Sequence, residues 1–390
     1  MPWKFIDDNE MLEKLVLELE AEPAIALDTE FHREKTYYPQ RGLIQLAWPA
    51  GIALVDPVKL DVTPLAGVLE RALIIGHALD QDLEVLRLWV GATPRRLFDT
   101  QLASAFVGYS TPSLQSLLER RLGVMVTKGD RLSDWSSRPL SESQLNYAAS
   151  DVEYLIDLYD GLCDDLRAVG RLAWAQEECA LVAARQNMEP SVDVAWWRMK
   201  DTRSFKGATR KVAQSLVAWR ETRARERDLP PRFVLSDLAV SAISQRGPST
   251  EQELKGVRGA QGLKAEIVRE ILSAISTGKS MSDDDLRLPP SDPVDRNVRP
   301  GIALVQAWVA QLGRDLRIDP SVLATRADVV ALVQDRTDAR LKQGWRGPLV
   351  QATVGRLLRG EAALSFDPNG DLVLEERSHV ALSVAGGTDA

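Results

Sequence analysis

Cysteine is nearly absent: the 390-residue chain carries only Cys163 and Cys179, both in sequence with helical periodicity. Neither a disulfide framework nor a zinc site is expected from two, a reducing compartment suits them, and both read as buried packing residues. No run of about 18 apolar residues occurs, so no membrane-spanning helix is expected. The start, Met1-Pro2-Trp3-Lys4-Phe5, lacks the apolar core of a signal peptide, and a cytoplasmic location follows as an expectation. What remains is ordinary for a globular protein: 45% apolar and 27% charged residues, with length enough for two or three domains.

Positive charge is also short overall, with a net charge of −8. A nucleic-acid partner looks disfavoured until the distribution is read. From Trp197 to Lys279 there are roughly 17 Lys and Arg against roughly 9 Asp and Glu, so that segment carries about +8 and the remainder about −16. A basic module joined to an acidic one suits a phosphate-tracking unit attached to a cation-binding one. A well-solvated helical surface would give the same count.

The first 168 residues alternate short apolar runs with helical patterns. Strands are expected at 24–27, 43–47, 52–55, 73–76 and 97–100. The first three are separated by turn residues only, as in an antiparallel meander; the later ones alternate with helical stretches at 82–90 and 100–107, as in parallel crossovers. A mixed sheet with helices on both faces follows. Ser141-Glu142-Ser143-Gln144 is a capping-box pattern that opens a helix expected to run through Tyr147 and Asp151 to Cys163. Residues 169–205 read as a helical connector ending near Glu189-Pro190, and 206–282 as an all-helical domain. Residues 283–299, with three consecutive aspartates and several prolines, read as a linker. A second helical domain is expected at 300–378, where Asp367-Pro368-Asn369-Gly370 marks a turn between two extended runs. The tail 379–390 is expected to be disordered. The helical modules share a Trp-bearing first helix followed by a Pro-containing loop, consistent with a divergent duplication.

The chemistry begins at Ile25-Ala-Leu-Asp28-Thr-Glu30-Phe31. Strand alternation places Asp28 and Glu30 on one face. By itself such a pair is commonly a solvated strand edge. Asp82 would by default cap a helix, Tyr147 would be half-buried packing, and Asp151 an exposed helical acid. Their order alters that reading, because Tyr147 and Asp151 share a helical stripe on the last helix of an α/β domain. Four carboxylates drawn from three segments would repel one another unless cations lay between them, which is the donor set of a two-metal phosphodiester-cleaving site.

The segments Leu27-Asp-Thr-Glu-Phe31, Thr36-Tyr-Tyr-Pro39, Leu43-Ile-Gln-Leu46, His77-Ala78, Gln81-Asp-Leu-Glu-Val85, Ser133-Asp-Trp135, Arg138-Pro-Leu140 and Tyr147-Ala-Ala-Ser-Asp151 strongly resemble the ribonuclease D family of the DEDD exonuclease superfamily. The resemblance extends through residues 196–279, which look like a helicase-and-RNase-D C-terminal (HRDC) domain, and more weakly to about residue 377. It implies a ribonuclease H-like α/β exonuclease domain at 1–168, followed by two all-α HRDC-like domains. It also implies two divalent cations, Mg²⁺ or Mn²⁺, held by Asp28, Glu30, Asp82 and Asp151. Tyr147 marks the tyrosine branch and would orient the attacking water, since a phenol with a pKa near 10 is a poor base at neutral pH. The implied activity is 3′→5′ trimming of RNA, tRNA precursors and other structured RNAs with single-stranded 3′ ends among them; a monomer is expected, though the sequence itself leaves the oligomeric state open. Asp80 departs from the small polar residue usual beside Asp82, and Arg41-Gly42 replaces a bulkier apolar pair.

Arg220, Arg223 and Arg227 fall on one stripe with Trp219, with Arg210, Lys211 and Arg232 nearby. They read either as a phosphate-contacting surface or as surface ion pairing, for which Glu221 and Arg225 are spaced. Gly278-Lys279-Ser280 resembles the end of a phosphate-binding loop, but Ser273 stands where a glycine is required and a helix precedes it, so no ATP site is expected. Two other readings remain: a DNA-directed 3′→5′ exonuclease, and a catalytically silent RNA-binding protein.

Overall fold

The computed structural model describes residues 2–126, 133–185, 191–289 and 296–378. The expected tail at 379–390, the connector's end at Glu189-Pro190 and part of the linker lie outside these residues.

Six strands form the large sheet: β1 (Trp3–Ile6), β2 (Ala24–His32), β3 (Gln40–Trp48), β4 (Gly51–Val55), β5 (Leu73–Gly76) and β6 (Arg96–Asp99). Their order is β1-β4-β3-β2-β5-β6. The β2-β3-β4 meander is antiparallel, and β5 and β6 join β2 in parallel. The expected strands are thus present, with β2, β3 and β4 longer than expected, while β1 was not foreseen. It pairs in parallel with β4, and Trp3 Nε1 donates to Asn146 on the far helical layer.

Alternation sorts the strand side chains into two cores. Ile25, Leu27, Ile44, Leu46 and Ile74 pack with α1 (Asn9–Leu19), α2 (Ala66–Arg71) and α3 (Asp80–Trp89). Ala26, Leu43, Ala47 and Ile75 face the other way, toward α4 (Thr100–Ser104), α5 (Leu114–Leu122), α6 (Glu142–Glu153) and α7 (Leu155–Ala168). The single helix expected from Ser141 to Cys163 is therefore two, divided at Tyr154, whose backbone leaves helical geometry at φ −110° and ψ 7°. The capping box is present, with Ser141 and Gln144 each satisfying the other's backbone amide.

Helix α8 (Leu172–Arg185) returns across β6, and Cys179 Sγ there accepts the Asp99 amide at 3.3 Å. Both cysteines are free and buried, and burial pushes the Cys179 thiol up to about 12.

The central helical module comprises α9 (Ala208–Arg227), α10 (Pro231–Val234), α11 (Asp237–Arg246), α12 (Glu251–Lys255) and α13 (Ala265–Ser280) around its own apolar core. The expected linker is not free where it begins. Residues 281–287 strap the module: Lys211 pairs with Asp283, Gln214 bonds Asp285 and Arg287, and Trp197 donates to the Arg287 carbonyl. Gly278 sits inside α13, where a Cβ would lie 2.6 Å from Val212 Cα, so the phosphate-loop look-alike is a helix-packing contact.

The last module, α14 (Arg299–Leu316), α15 (Pro320–Leu323), α16 (Arg326–Val333) and α17 (Arg346–Leu358), repeats that opening order. A long helix ends in a left-handed residue, Asp228 in one module and Arg317 in the other. A short Pro-initiated helix follows, then a Ser- or Thr-capped one. It is not wholly helical: β7 (Ala362–Phe366) and β8 (Leu372–Glu376) form a hairpin about the Asp367–Gly370 turn. Its core merges with that of the α/β domain. Trp345 stacks on Trp174 and meets Phe106 edge-on, while buried Glu178 on α8 accepts from Arg340, Arg346 and Trp345.

Candidate active site

Asp28 and Glu30 lie on the β2 face that carries Ala26, and so address α6 rather than α3. Tyr147 and Asp151 are one turn apart on α6, which packs over β2, β3 and β4. Carboxylate oxygens of Asp28, Glu30 and Asp151 all come within 4.8 Å of one another.

Asp82 reaches the site differently. It stands in the first turn of α3, on the opposite layer. Asp99 holds that turn by accepting the amides of Ala78 and Leu79, while the same carboxylate caps α4. Thr29, whose side chain faces away from Asp28 and Glu30, donates its hydroxyl to Asp82. The tight three-carboxylate group therefore excludes Asp82, though its charge still acts on Asp28.

Burial is the largest cause that drives the Asp28 pKa well above the usual carboxylate range, followed by the charges of Asp82, Asp151 and Glu30. Burial likewise raises Asp82 to about 6, against the Thr29 hydrogen bond. Such a cluster favours protons or cations between its oxygens. A hard divalent ion, which takes carboxylate oxygens, fits this donor set.

A loop closes the site from the third side. Arg138 donates to both oxygens of fully buried Asp56 and to the carbonyls of Gly42, Trp135 and Ser137. That fixes Trp135 beside Tyr147, with ring centroids 6.2 Å apart. Gly42 is the close approach that permits this, because a Cβ there would sit 2.2 Å from the Glu30 carbonyl oxygen and 3.0 Å from Trp135 Cβ. The Arg41-Gly42 departure thus has a steric basis. Asp80 is exposed at the start of α3, where a negative charge suits the helix dipole. Trp135, Arg138 and Thr29 were not singled out from the sequence; only the motifs containing them were.

The basic residues divide. Arg220 is buried and bonds Asp237, the Leu235 carbonyl and Met199 Sδ. Arg223 pairs with Glu266 and Glu270, which also accepts from Trp219, and Lys211 pairs with Asp283. Each of these three is thus engaged by a carboxylate of its own module or of the strap that follows it. Arg227 and Arg232 are exposed, and half-buried Arg210 keeps an Nε without a hydrogen-bond partner.

A family model described as 3′-5′ exonuclease matches residues 3–167, and one described as HRDC domain matches residues 209–275. Fold and matched models together define a 3′–5′ exonuclease with an HRDC domain joined to it. Ribonuclease D of Acidiphilium cryptum is 32% identical over 372 residues, covering 92% of this chain and 94% of that one. Ribonuclease D of Escherichia coli K12 is 32% identical over 377 residues, covering 92% and 99%. The crystal structure of Escherichia coli RNase D, described as an exoribonuclease involved in structured RNA processing, superposes with a TM-score of 0.81 at 30% identity over 92% of this chain and 99% of that chain. The chain belongs to the ribonuclease D family, and is a 3′–5′ exoribonuclease that uses divalent metal.

Proposed function

We propose that this enzyme removes nucleotides singly from RNA 3′ ends, trimming the 3′ trailers of tRNA precursors and other structured RNAs with unpaired ends. The observation that carries the reading is the meeting of Asp28, Glu30 and Asp151 beside Tyr147. These carboxylates with Asp82 would hold two ions, Mg²⁺ or Mn²⁺. Bound there, the ions would supply charge neutralisation at the scissile phosphate and an activated water.

The chain's own residues do the rest. Asp28 has the central position, since three other carboxylates act on it. Glu30 and Asp151 complete one donor group on the α6 face, and Asp82 serves from the α3 side. Tyr147, braced by Trp135, orients the attacking water through its hydroxyl; at neutral pH a phenol holds its proton, so positioning outweighs deprotonation. Arg210, Arg227 and Arg232 would guide the RNA body. The protein works as a cytoplasmic monomer without ATP, with residues 1–168 cutting and 206–282 and 300–378 as helical appendages.

Digestion of a 3′-extended tRNA precursor with and without Mg²⁺ or Mn²⁺, identifying the product ends, tests this. Metal-dependent release of 5′-mononucleotides is expected. Equal rates on matched single-stranded DNA, or no cleavage in either metal, would refute it.

A further inference from the structure

The HRDC module is joined to the loop that leaves β2. The amides of Tyr37 and Tyr38 both donate to Asp228, at 3.0 and 2.9 Å, and the Tyr37 hydroxyl donates to Glu221 at 2.6 Å while accepting from Arg225 Nε. Beside this seam opens a cavity of about 460 Å³, bounded by Arg33, Glu34, Thr36 and Tyr37 on the exonuclease side and by Arg198, Pro230 and Arg232 on the other.

The charges around it are unequally committed. Glu221 is held by Tyr37, Asp237 by Arg220, and Arg33 by Glu84 in a two-point pair. Arg198 and Arg232 are exposed, and neither has an ion-pair partner among the described residues. The Arg232 guanidinium rests over the ring of Phe233, which lies outside the cavity lining. Arg33 follows Glu30 by three residues, so the cavity begins within about 11 Å of chain from the carboxylates.

We infer that this seam cavity is a subsite for an unpaired RNA nucleotide a few positions upstream of the 3′ end. Its phosphates are met by Arg198 and Arg232, which line the cavity on the helical side. The occupant follows from the chemistry: two guanidiniums without carboxylate partners among the described residues, on one wall of a cavity close in chain to the carboxylates, suit the phosphates of a flexible single strand. The inference rests on the exonuclease reading above for the direction of the strand, but not for the existence of the subsite. It also explains why the seam is fastened, since a subsite shared by two modules needs them in fixed register.

The test is binding in EDTA, which needs no turnover, by fluorescence anisotropy of a labelled single-stranded RNA 10-mer and a trinucleotide. The Arg198→Gln/Arg232→Gln variant should bind the 10-mer about tenfold more weakly, lowering the 10-mer to trinucleotide affinity ratio by that factor. The slope of log affinity against log salt should become shallower by about 1.4, at roughly 0.7 for each lost cation on a single strand. Arg198→Lys/Arg232→Lys should recover most of the affinity, and its matching thermal midpoint would separate charge from folding. An unchanged ratio or salt slope, or an equal loss on both RNAs, would overturn the subsite. Absence of metal-dependent cleavage by the wild type would instead sink the exonuclease reading and leave this binding result standing.

Discussion

Asp28 is held at a cost to the metal-free protein, because its burial and three neighbouring carboxylates oppose its charge. Asp28→Asn should therefore cut mononucleotide release by about 10³-fold or more, yet leave the thermal midpoint in EDTA unchanged or higher. A large fall in that midpoint would mean the carboxylate is structural. Tyr147→Phe keeps the ring against Trp135 and removes only the hydroxyl, so turnover should fall about 10²–10⁴-fold while metal affinity, followed by calorimetry, stays put. The carboxylates were legible because strand and helix periods place side chains on faces. The unequal standing of Asp82 was not, since it depends on α3 approaching from the opposite layer and on Thr29 turning away to meet it. Arg220 shows the converse: one stripe on a helical wheel cannot tell an arginine facing solvent from one facing Asp237 across a turn.

At the scale of elements, the site depends on what wedges α6 and the 133–140 loop against the sheet. Arg138→Ala would strand Asp56 fully buried without its partner, a loss of about 3–5 kcal/mol. Activity should fall further than stability explains, as Trp135 loses its anchor beside Tyr147; denaturant melts alongside kcat separate the two effects. Gly42→Ala should be as damaging, because the new methyl meets backbone rather than a flexible side chain. The capping box opening α6 was plain in the sequence because both halves of it are local. Strand β1 escaped notice since it is four residues long and its partner lies some fifty residues away. The division of α6 from α7 carries no Gly or Pro signal, only a change of backbone angles at Tyr154.

For the molecule as a whole, the polar part of the joint between α8 and the last helical module centres on one acid, Glu178, 4% exposed among Arg340, Arg346 and Trp345. Burial raises its pKa, but Arg346 and Arg340 outweigh this and the net value lies below the ordinary 4.5. The undocked carboxyl binds its proton first, so the stabilisation is complete above about pH 4.5 and fades as pH falls through the lowered value. Limited proteolysis across pH 3–6 should show the last module released at the acid end. Glu178→Gln should release it at neutral pH too, at a cost of about 3–5 kcal/mol. Neither this joint nor the Tyr37–Asp228 seam could be read in advance, because each unites residues more than 150 positions apart that look unremarkable where they stand.

The two thiols give the molecule a built-in clock. Cys179 is walled in between α8 and the end of β6, with its proton held to about pH 12, so an alkylating reagent reaches it only when that layer lifts away. Labelling at this position therefore counts excursions of the sheet's edge, and its slowing on addition of divalent ions would report how firmly an occupied centre pins the scaffold beneath it.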